Sequence, residues 1–420
     1  MEELIEQYNN QMFKVTLAER EYIAIFRRID NCLGFEIEID NSVELRKLWR
    51  NGTFKVINGT YNEKTIVLIN SYTRKTSENK ITLKIDIMID GFSIGKNINN
   101  KKIKGFLCSY HGINEFDLSK YYDFSVKESS IKAKCERDKF SCLEGNLFFH
   151  KTNYMSLGWN TFSCNKVNKF EFLYDRKVSV YTAIKDIWHI RNLFSIFSKK
   201  NIVVKEIQLY GTNNTKAILF MNYVKTPNYK FENEFIEHEE NSFLITYNDI
   251  KDTFGNILEN SKKCFEKITP VLSMYLDSIE KEMPVLNKFL AFNQMLECFS
   301  REYDEVNAKL LMITKEPSKS KKDTELKYRI NSLIKRINFI YKFRSTKMFK
   351  LAEKIAKGRN YYIHHDKSKK SDELIHNKLF DYSYFLEDIL LANIYLEIGI
   401  NKSVIKKAFT NPFYYDIKSL

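Results

Sequence analysis

The 420-residue chain lacks most of the features that place a protein quickly. Its seven cysteines, Cys32, Cys108, Cys135, Cys142, Cys164, Cys264 and Cys298, contain no C-x-x-C pair. An odd, scattered set argues against a disulfide framework and fits a reducing cytoplasm. No long apolar run is free of charge: the most apolar stretch, FLEDILLANIYLEIGI, carries Glu387, Asp388 and Glu397, which excludes it as a membrane span. The first residues, MEELIEQYNN, are acidic and hold no apolar core, so no signal peptide and a soluble protein are expected. No repeat of about 20 to 50 residues is visible, which excludes solenoids and propellers. No nucleophile elbow is recognised and there is no H-E-x-x-H pair, which sets aside the easiest hydrolase readings.

What is present is a globular composition with a basic surplus. Apolar residues make up 44% of the chain, enough to bury the cores of two or three domains. Lysine and arginine number 67 against 53 acidic residues, a net +14 that suits an anionic partner such as nucleic acid. The surplus is local. From Arg301 to Lys370 there are 20 basic and 8 acidic side chains, an excess of 20 − 8 = 12. A solvated helix face explains such a run as well as an RNA-facing one.

Hydrophobic period divides the chain in two. In KITLKIDIMIDG the apolar Ile81, Leu83, Ile85, Ile87 and Ile89 alternate with mostly polar neighbours, the pattern of a half-buried strand. FEIEI, TFKVI, TIVLI, KFEFLYD, EIQLY, AILFMNY and SFLITY read as further strands, so residues 1–247 form a mostly antiparallel β-rich domain. One helix interrupts it, VSVYTAIKDIWHIRNLFSIFSKK, with Ile184, Ile187, Trp188, Phe194 and Phe197 at helical spacing for packing across a sheet. From residue 248 to 420 the period becomes helical. LKYRINSLIKRINFIYKF steps by three or four through Ile330, Leu333, Ile334, Ile337, Ile340 and Tyr341. Pro270 and Pro284 mark helix beginnings or breaks, and EPSKSKKDTE is a polar loop. Four or five helices reach to Ala408, and the fold class is α+β: antiparallel β followed by an all-α bundle.

Three possible sites have plainer explanations. GFSIGKN, residues 91–97, has one residue too few between its glycines for a phosphate-binding loop and Asn97 where a hydroxyl is needed; it reads as a turn after the alternating strand. Cys135, Cys142, His150 and Cys164 have no common zinc spacing and read as buried thiols and a surface histidine. The aromatic residues fall mostly at core periods, where they bury area before they stack on bases.

The stretch KGRNYYIHHD, residues 357–366, is different. Arg359 and His364 are separated by four residues, Asn360 follows the arginine, and His365 follows the histidine. It lies late in the helical run STKMFKLAEKIAKGRNYYIHH, after FLAFNQMLECFSRE and LKYRINSLIKRI and before LFDYSYFLEDILLANIYLEIGI. This order resembles the HEPN (higher eukaryotes and prokaryotes nucleotide-binding) superfamily, whose ribonuclease members carry an Arg-x4-6-His motif. More narrowly it looks like the ApeA-type HEPN domain of antiphage defence, a branch that joins a β-rich N-terminal domain to the helical one. The resemblance implies a metal-independent, cofactor-free endoribonuclease, active as a homodimer or higher homo-oligomer, that cuts RNA and arrests the host cell when the N-terminal domain senses a phage-derived trigger. A nonenzymatic HEPN module that binds nucleic acid or holds a scaffold is the other reading.

On the cleaving reading, Arg359 positions the phosphate and stabilises its developing charge, and His364 transfers a proton. Asn360 shares a helix face with His364 and fixes its tautomer or touches the phosphate. His365 points about 100° away and is a substrate contact or a solvated residue. Five residues of regular helix turn through about 500°, which leaves Arg359 and His364 about 140° apart. Either Arg359 reaches around, the helix loosens near Gly358, or two protomers compose the site. HEPN toxins silenced by nucleotidyl transfer carry a tyrosine shortly after the histidine, where this chain has His365, Asp366 and Lys367. The second Arg-Asn pair, Arg191-Asn192, lacks a following histidine and reads as structural.

Overall fold

The structure is a computed structural model that describes residues 8–17, 20–29, 32–40, 53–78, 82–95, 102–110, 112–117, 135–142, 144–157, 162–212, 215–221, 243–281, 283–303, 326–364 and 376–410. Alternating apolar residues build twelve strands among them: β1 (Met12–Leu17), β2 (Arg20–Ile29), β3 (Cys32–Asp40), β4 (Thr53–Tyr61), β5 (Lys64–Glu78), β6 (Thr82–Gly95), β7 (Ile103–Tyr110), β8 (Cys135–Cys142), β9 (Gly145–Leu157), β10 (Phe162–Val178), β11 (Val204–Tyr210) and β12 (Lys216–Met221). They pair antiparallel in the order β3-β2-β1-β4-β5-β6-β12-β11-β7-β10-β9-β8. In addition β3 pairs with β6, from Gly34↔Met88 to Asp40↔Thr82. That extra ladder closes β1 to β6 into a six-stranded barrel without free edges.

The barrel is filled by side chains. Phe13, Val15, Phe26, Phe35, Ile37, Ile85, Ile87 and Phe92 share one buried cluster. Strand β6 pairs with β5 along its length and with two strands on its other edge: its first half meets β3 and completes the barrel, and its second half, Gly91 to Gly95, pairs with β12 and starts the rest of the sheet. GFSIG is therefore strand, where a turn was expected. A Cβ at Gly95 would lie 2.5 Å from the Ala217 Cβ, so glycine permits close approach of β12 here. The same five residues also spell G-x-S-x-G, so the pattern of a nucleophile elbow is present in the sequence after all. Its context is wrong for one: Ser93 is buried within a ladder, where an elbow serine stands exposed at a strand-to-helix turn.

A second correction concerns SFLITY. Residues 243–246 are irregular, with the Leu244 amide donating to the Phe197 carbonyl, and Tyr247 already begins a helix. The cause is local: Thr246 and Asp249 form a capping box, and the Asp249 carboxylate accepts from the Thr246 amide at 3.0 Å and its hydroxyl at 2.7 Å.

The helices are α1 (Ile113–Phe116), α2 (Val180–Ser198), α3 (Tyr247–Ile250), α4 (Phe254–Lys267), α5 (Thr269–Glu280), α6 (Val285–Glu302), α7 (Leu326–Arg336), α8 (Asn338–Tyr341), α9 (Ser345–His364), α10 (His376–Glu397) and α11 (Lys402–Phe409). The fold is thus α+β, antiparallel sheet followed by a helical region. Pro270 lies in the first turn of α5 and Pro284 caps α6, so both mark helix beginnings. The segment expected as one helix after residue 326 breaks at Ile337 and ends on Lys342 in the left-handed region, φ 53°. This and the split between α4 and α5 raise the helix count above the four or five expected. The loop EPSKSKKDTE lies outside the described residues.

The chain divides into two compact units. The first comprises residues 1–114, 119–191 and 202–240; the second comprises 115–118, 192–201 and 241–420. The division falls inside α2. In the first unit Tyr110 of β7 donates to the Ile187 carbonyl at 3.1 Å and Tyr174 of β10 to Asp186 at 2.7 Å, so this part of α2 packs on the sheet as expected, with Trp188 only half-buried. Arg191 donates to the Ile202 carbonyl at 2.7 Å, a structural contact. In the second unit Phe194 and Phe197 meet Phe116, and Tyr395 of α10 donates to the Ile196 carbonyl at 2.7 Å. Among the described residues no helix is long and apolar enough to cross a membrane.

Candidate functional site

Helix α9 follows from its composition: alanine, leucine, lysine and glutamate favour helix, and Met348, Leu351, Ala352, Ile355 and Ala356 give it a buried stripe at a spacing of three and four. The stripe ends at Gly358. Residues 359 to 362 are half-buried and Ile363 is 44% exposed, so the last turn stands at the surface of the bundle. That turn carries the Arg-x4-His motif. The helix runs unbroken through Gly358, which removes one of the three ways of bringing Arg359 and His364 to a common point.

Arg359 reaches toward α6. Its Nη1 donates to Asn360 Oδ1 at 3.1 Å, and its Nη2 lies 3.9 Å from Glu297 Oε2. The other oxygen of Glu297 pairs with Arg301, one turn along the same helix. Arg329 of α7 donates to the Ser300 hydroxyl at 3.3 Å. Its pKa is lowered, chiefly by burial and then by the charge of Arg301, with Glu297 opposing. Three guanidinium groups on three helices thus share the surroundings of one carboxylate. The cluster is half-open: the Arg359 side chain is 29% exposed and Glu297 25%. A long ion pair at such exposure is weak, and three fork-shaped cations with one carboxylate are suited to accept a phosphate.

Asn360 therefore holds Arg359, a contact distinct from the tautomer-fixing role expected for it. His364 ends α9, five residues beyond Arg359 and about 140° around the helix. His365 lies outside the described residues. Glu297, Arg301 and Arg329 were not singled out from the sequence, although the Glu297–Arg301 spacing of four was a visible signal.

A rim of exposed apolar side chains stands at the same end of the bundle. Val285 begins α6 and is 38% exposed, Phe380 lies near the start of α10 at 40%, and Ile363 ends α9. They are neighbours through Tyr362 against Phe289, with ring centroids 6.3 Å apart, and Ser383, whose hydroxyl lies 3.4 Å from the Val285 carbonyl.

Elsewhere the chemistry is structural. His150 contacts Glu171 at 2.8 Å and is half-buried, and Arg137 shares the same carboxylate. Cys142 is a free, buried thiol; the side chains of Cys135 and Cys164 lie outside the described residues. Burial pushes the Cys108 thiol up to about 12 and the Cys264 thiol up to about 11. Among the described residues no group of three or more histidine, cysteine or carboxylate side chains could hold a metal.

Two family models match. Residues 24–261 match the ApeA N-terminal domain 1, and residues 290–404 match the Apea-like HEPN domain, which spans Glu297, Arg301, Arg329, Arg359 and His364. The β-rich half followed by a HEPN bundle defines a two-part HEPN protein. The chain belongs to the ApeA-type HEPN family. No curated protein and no solved structure matches it.

Proposed function

We propose that the chain is a metal-independent endoribonuclease of a bacterial antiphage system, which cleaves RNA in the cytoplasm and so aborts infection. The observation that carries this reading is the position of Arg359, held half-exposed on the last turn of α9 among three arginines and one carboxylate, within the HEPN match. Arg359 holds two oxygens of the scissile phosphate, and Arg301 and Arg329 supply further positive charge for the strand. Glu297 gives way to the phosphate, since both compete for the same guanidinium.

Cleavage needs a base and an acid. One His364 removes the proton of the 2′-hydroxyl, whose oxygen attacks the adjacent phosphorus; the bond to the 5′-oxygen breaks, and a protonated second His364 delivers a proton to that leaving oxygen. The products are a 2′,3′-cyclic phosphate and a 5′-hydroxyl. Histidine suits both steps because its pKa lies near neutrality. Two histidines require two protomers, and the unbroken helix supports this over a site within one chain. The rim of Val285, Ile363 and Phe380 beside the motif supports the pairing of chains, because exposed apolar residues grouped at one end favour burial against a partner. The N-terminal domain senses the phage-derived trigger, supported by its match to the ApeA N-terminal domain.

The test is cleavage of RNA by purified protein in the presence of a chelator. Arg359→Ala and His364→Ala abolish cleavage while folding and oligomeric state persist. A wild type inert toward every RNA and trigger, with both variants binding RNA as before, favours a nonenzymatic module instead.

A further inference from the structure

Positive charge in the helical unit is concentrated on two helices that pack on each other. From Leu326 to His364 the chain carries 11 lysine and arginine residues and one acid, Glu353. The long helices α4, α5, α6 and α10 together carry six basic and ten acidic residues. A lysine-rich composition alone would raise all of them, so the excess belongs to α7, α9 and the segment that joins them. Part of it is engaged: Arg336 turns to Glu397 and Asn393 of α10, and Lys357 lies 3.2 Å from Glu353. Lys335, Lys342, Arg344 and Lys350 stay exposed. Such a surface is complementary to a polyanion.

Within this basic face stands an aromatic pair. Tyr328 of α7 meets Phe349 of α9 with ring centroids 5.8 Å apart and planes tilted by 47°, and the Lys327 ammonium lies 5.0 Å from the centre of the Tyr328 ring. Both residues keep partial exposure, whereas Phe289, Phe292 and Phe299 of α6 and Phe385 of α10 are fully buried. The pair is also aligned with the motif. At about 100° per residue Phe349 lies within about 60° of His364 and about 20° of Asn360, on the face of α9 that carries both. Arg359 is about 15 Å further along the axis, the length of about four nucleotides stacked at about 3.4 Å. Tyr328 adjoins Arg329 of the arginine cluster. Lys335 returns to the face of Tyr328 about two turns later.

We propose that this face binds a single-stranded stretch of RNA, with one base stacked on the Tyr328–Phe349 pair and phosphates held by Lys335 and Lys350. It says where the strand runs outside the cleavage point, and so rests on the arginine cluster taking RNA phosphate. Charge alone would suit an acidic polypeptide equally. The rings favour RNA, because every base offers a π-face and a run of carboxylates offers none.

The test is binding of the full chain to a 2′-O-methyl oligoadenylate of eight nucleotides, followed by fluorescence anisotropy across a range of salt. This probe lacks the hydroxyl needed for attack, so affinity is read whether or not the chain cleaves. Tyr328→Leu combined with Phe349→Leu weakens binding by about tenfold and leaves the salt slope in place, since a lost stack releases no counterions. Tyr328→Phe combined with Phe349→Tyr, which keeps both rings, retains the affinity. Lys335→Ala and Lys350→Ala each flatten the slope by about 0.7, the value for one phosphate of a single strand. The proposal is overturned by absence of saturable binding, or by leucine variants that melt as the wild type does and bind equally well. Should those variants not fold, unchanged slopes in both lysine variants overturn it. So does octaglutamate that competes as strongly as unlabelled oligoadenylate. Failure of the underlying reading looks different: Arg359→Ala then binds as the wild type does, while loss of the rings still weakens binding.

Discussion

Among the described residues of the helical unit two ionic clusters stand out, and their difference separates structure from chemistry. In the first, Glu387 and Asp388 of α10 are both buried; Lys199 contacts Asp388 at 2.5 Å and Glu387 at 3.9 Å, Lys288 lies 3.5 Å from Glu387, and Tyr275 donates to Glu387 at 3.2 Å. Two acids, each 3% exposed, meet two bases that are 19% and 21% exposed. In the second, Glu297 faces Arg301 and Arg359 with Arg329 nearby, one acid against three bases at partial exposure. Balanced and buried charge holds helices together; unbalanced and accessible charge is open to an anion. Glu387 and Asp388, two of the three acids that exclude a membrane span in the sequence, prove to be the anchors of the buried cluster.

The largest effects expected are on cleavage. Arg359→Ala lowers the rate by about 10²- to 10³-fold, the range for removing one donor to a transition-state oxyanion. Urea unfolding of that variant stays within about 1 kcal/mol of the wild type, because the long, half-exposed pair with Glu297 contributes little. Retained cleavage in a folded Arg359→Ala would merge the two clusters into one structural class.

The opposite behaviour marks the closed cluster. Lys199→Met leaves Asp388 and Glu387 short of a partner and costs about 3 kcal/mol in urea unfolding, the low end for breaking a buried pair because Lys199 keeps some exposure. The pH dependence follows. Burial alone would lower the pKa of Lys199, but the charges of Asp388 and then Glu387 outweigh it, so its folded pKa is raised. A raised folded pKa gives a contribution fully present below the unfolded value and lost as pH rises through the folded one. The stability difference between wild type and Lys199→Met therefore holds at neutral pH and shrinks only above about pH 10.4.

Smaller effects sharpen the open cluster. Arg329→Ala weakens RNA binding and reduces the slope of log affinity against log salt by about 1, as loss of one phosphate contact does. Glu297→Gln removes the competing carboxylate and tightens RNA binding by about two- to fivefold, with no loss of stability beyond that of an exposed pair. Tighter binding without faster cleavage is still in line with a competing role; weaker binding would make Glu297 a positioning residue for Arg359.

The sequence disclosed what is encoded locally. Ile85 and Ile87 read as buried strand residues because a pleat repeats every two residues, and both fill the barrel. Barrel closure was not legible, because the β3–β6 ladder joins segments far apart and no residue of either announces its partner. SFLITY misled because its apolar alternation outweighed the Thr246–Asp249 capping box, a signal that was in the sequence. At the candidate site Arg359, Asn360 and His364 were legible through the motif and its helical setting. The counter-ion Glu297 was not, because it comes from another helix.

The central claim is that the His364 residues of two protomers share one cleavage, one as base and one as acid. The direct measurement is cleavage by wild type unfolded and refolded together with increasing proportions of His364→Ala protein, so that protomers exchange. Dimers with a single His364 lack a base or an acid, so cleavage falls as the square of the wild-type fraction. Cleavage that falls only in proportion to the wild-type fraction, as when each chain cleaves alone, would contradict the account.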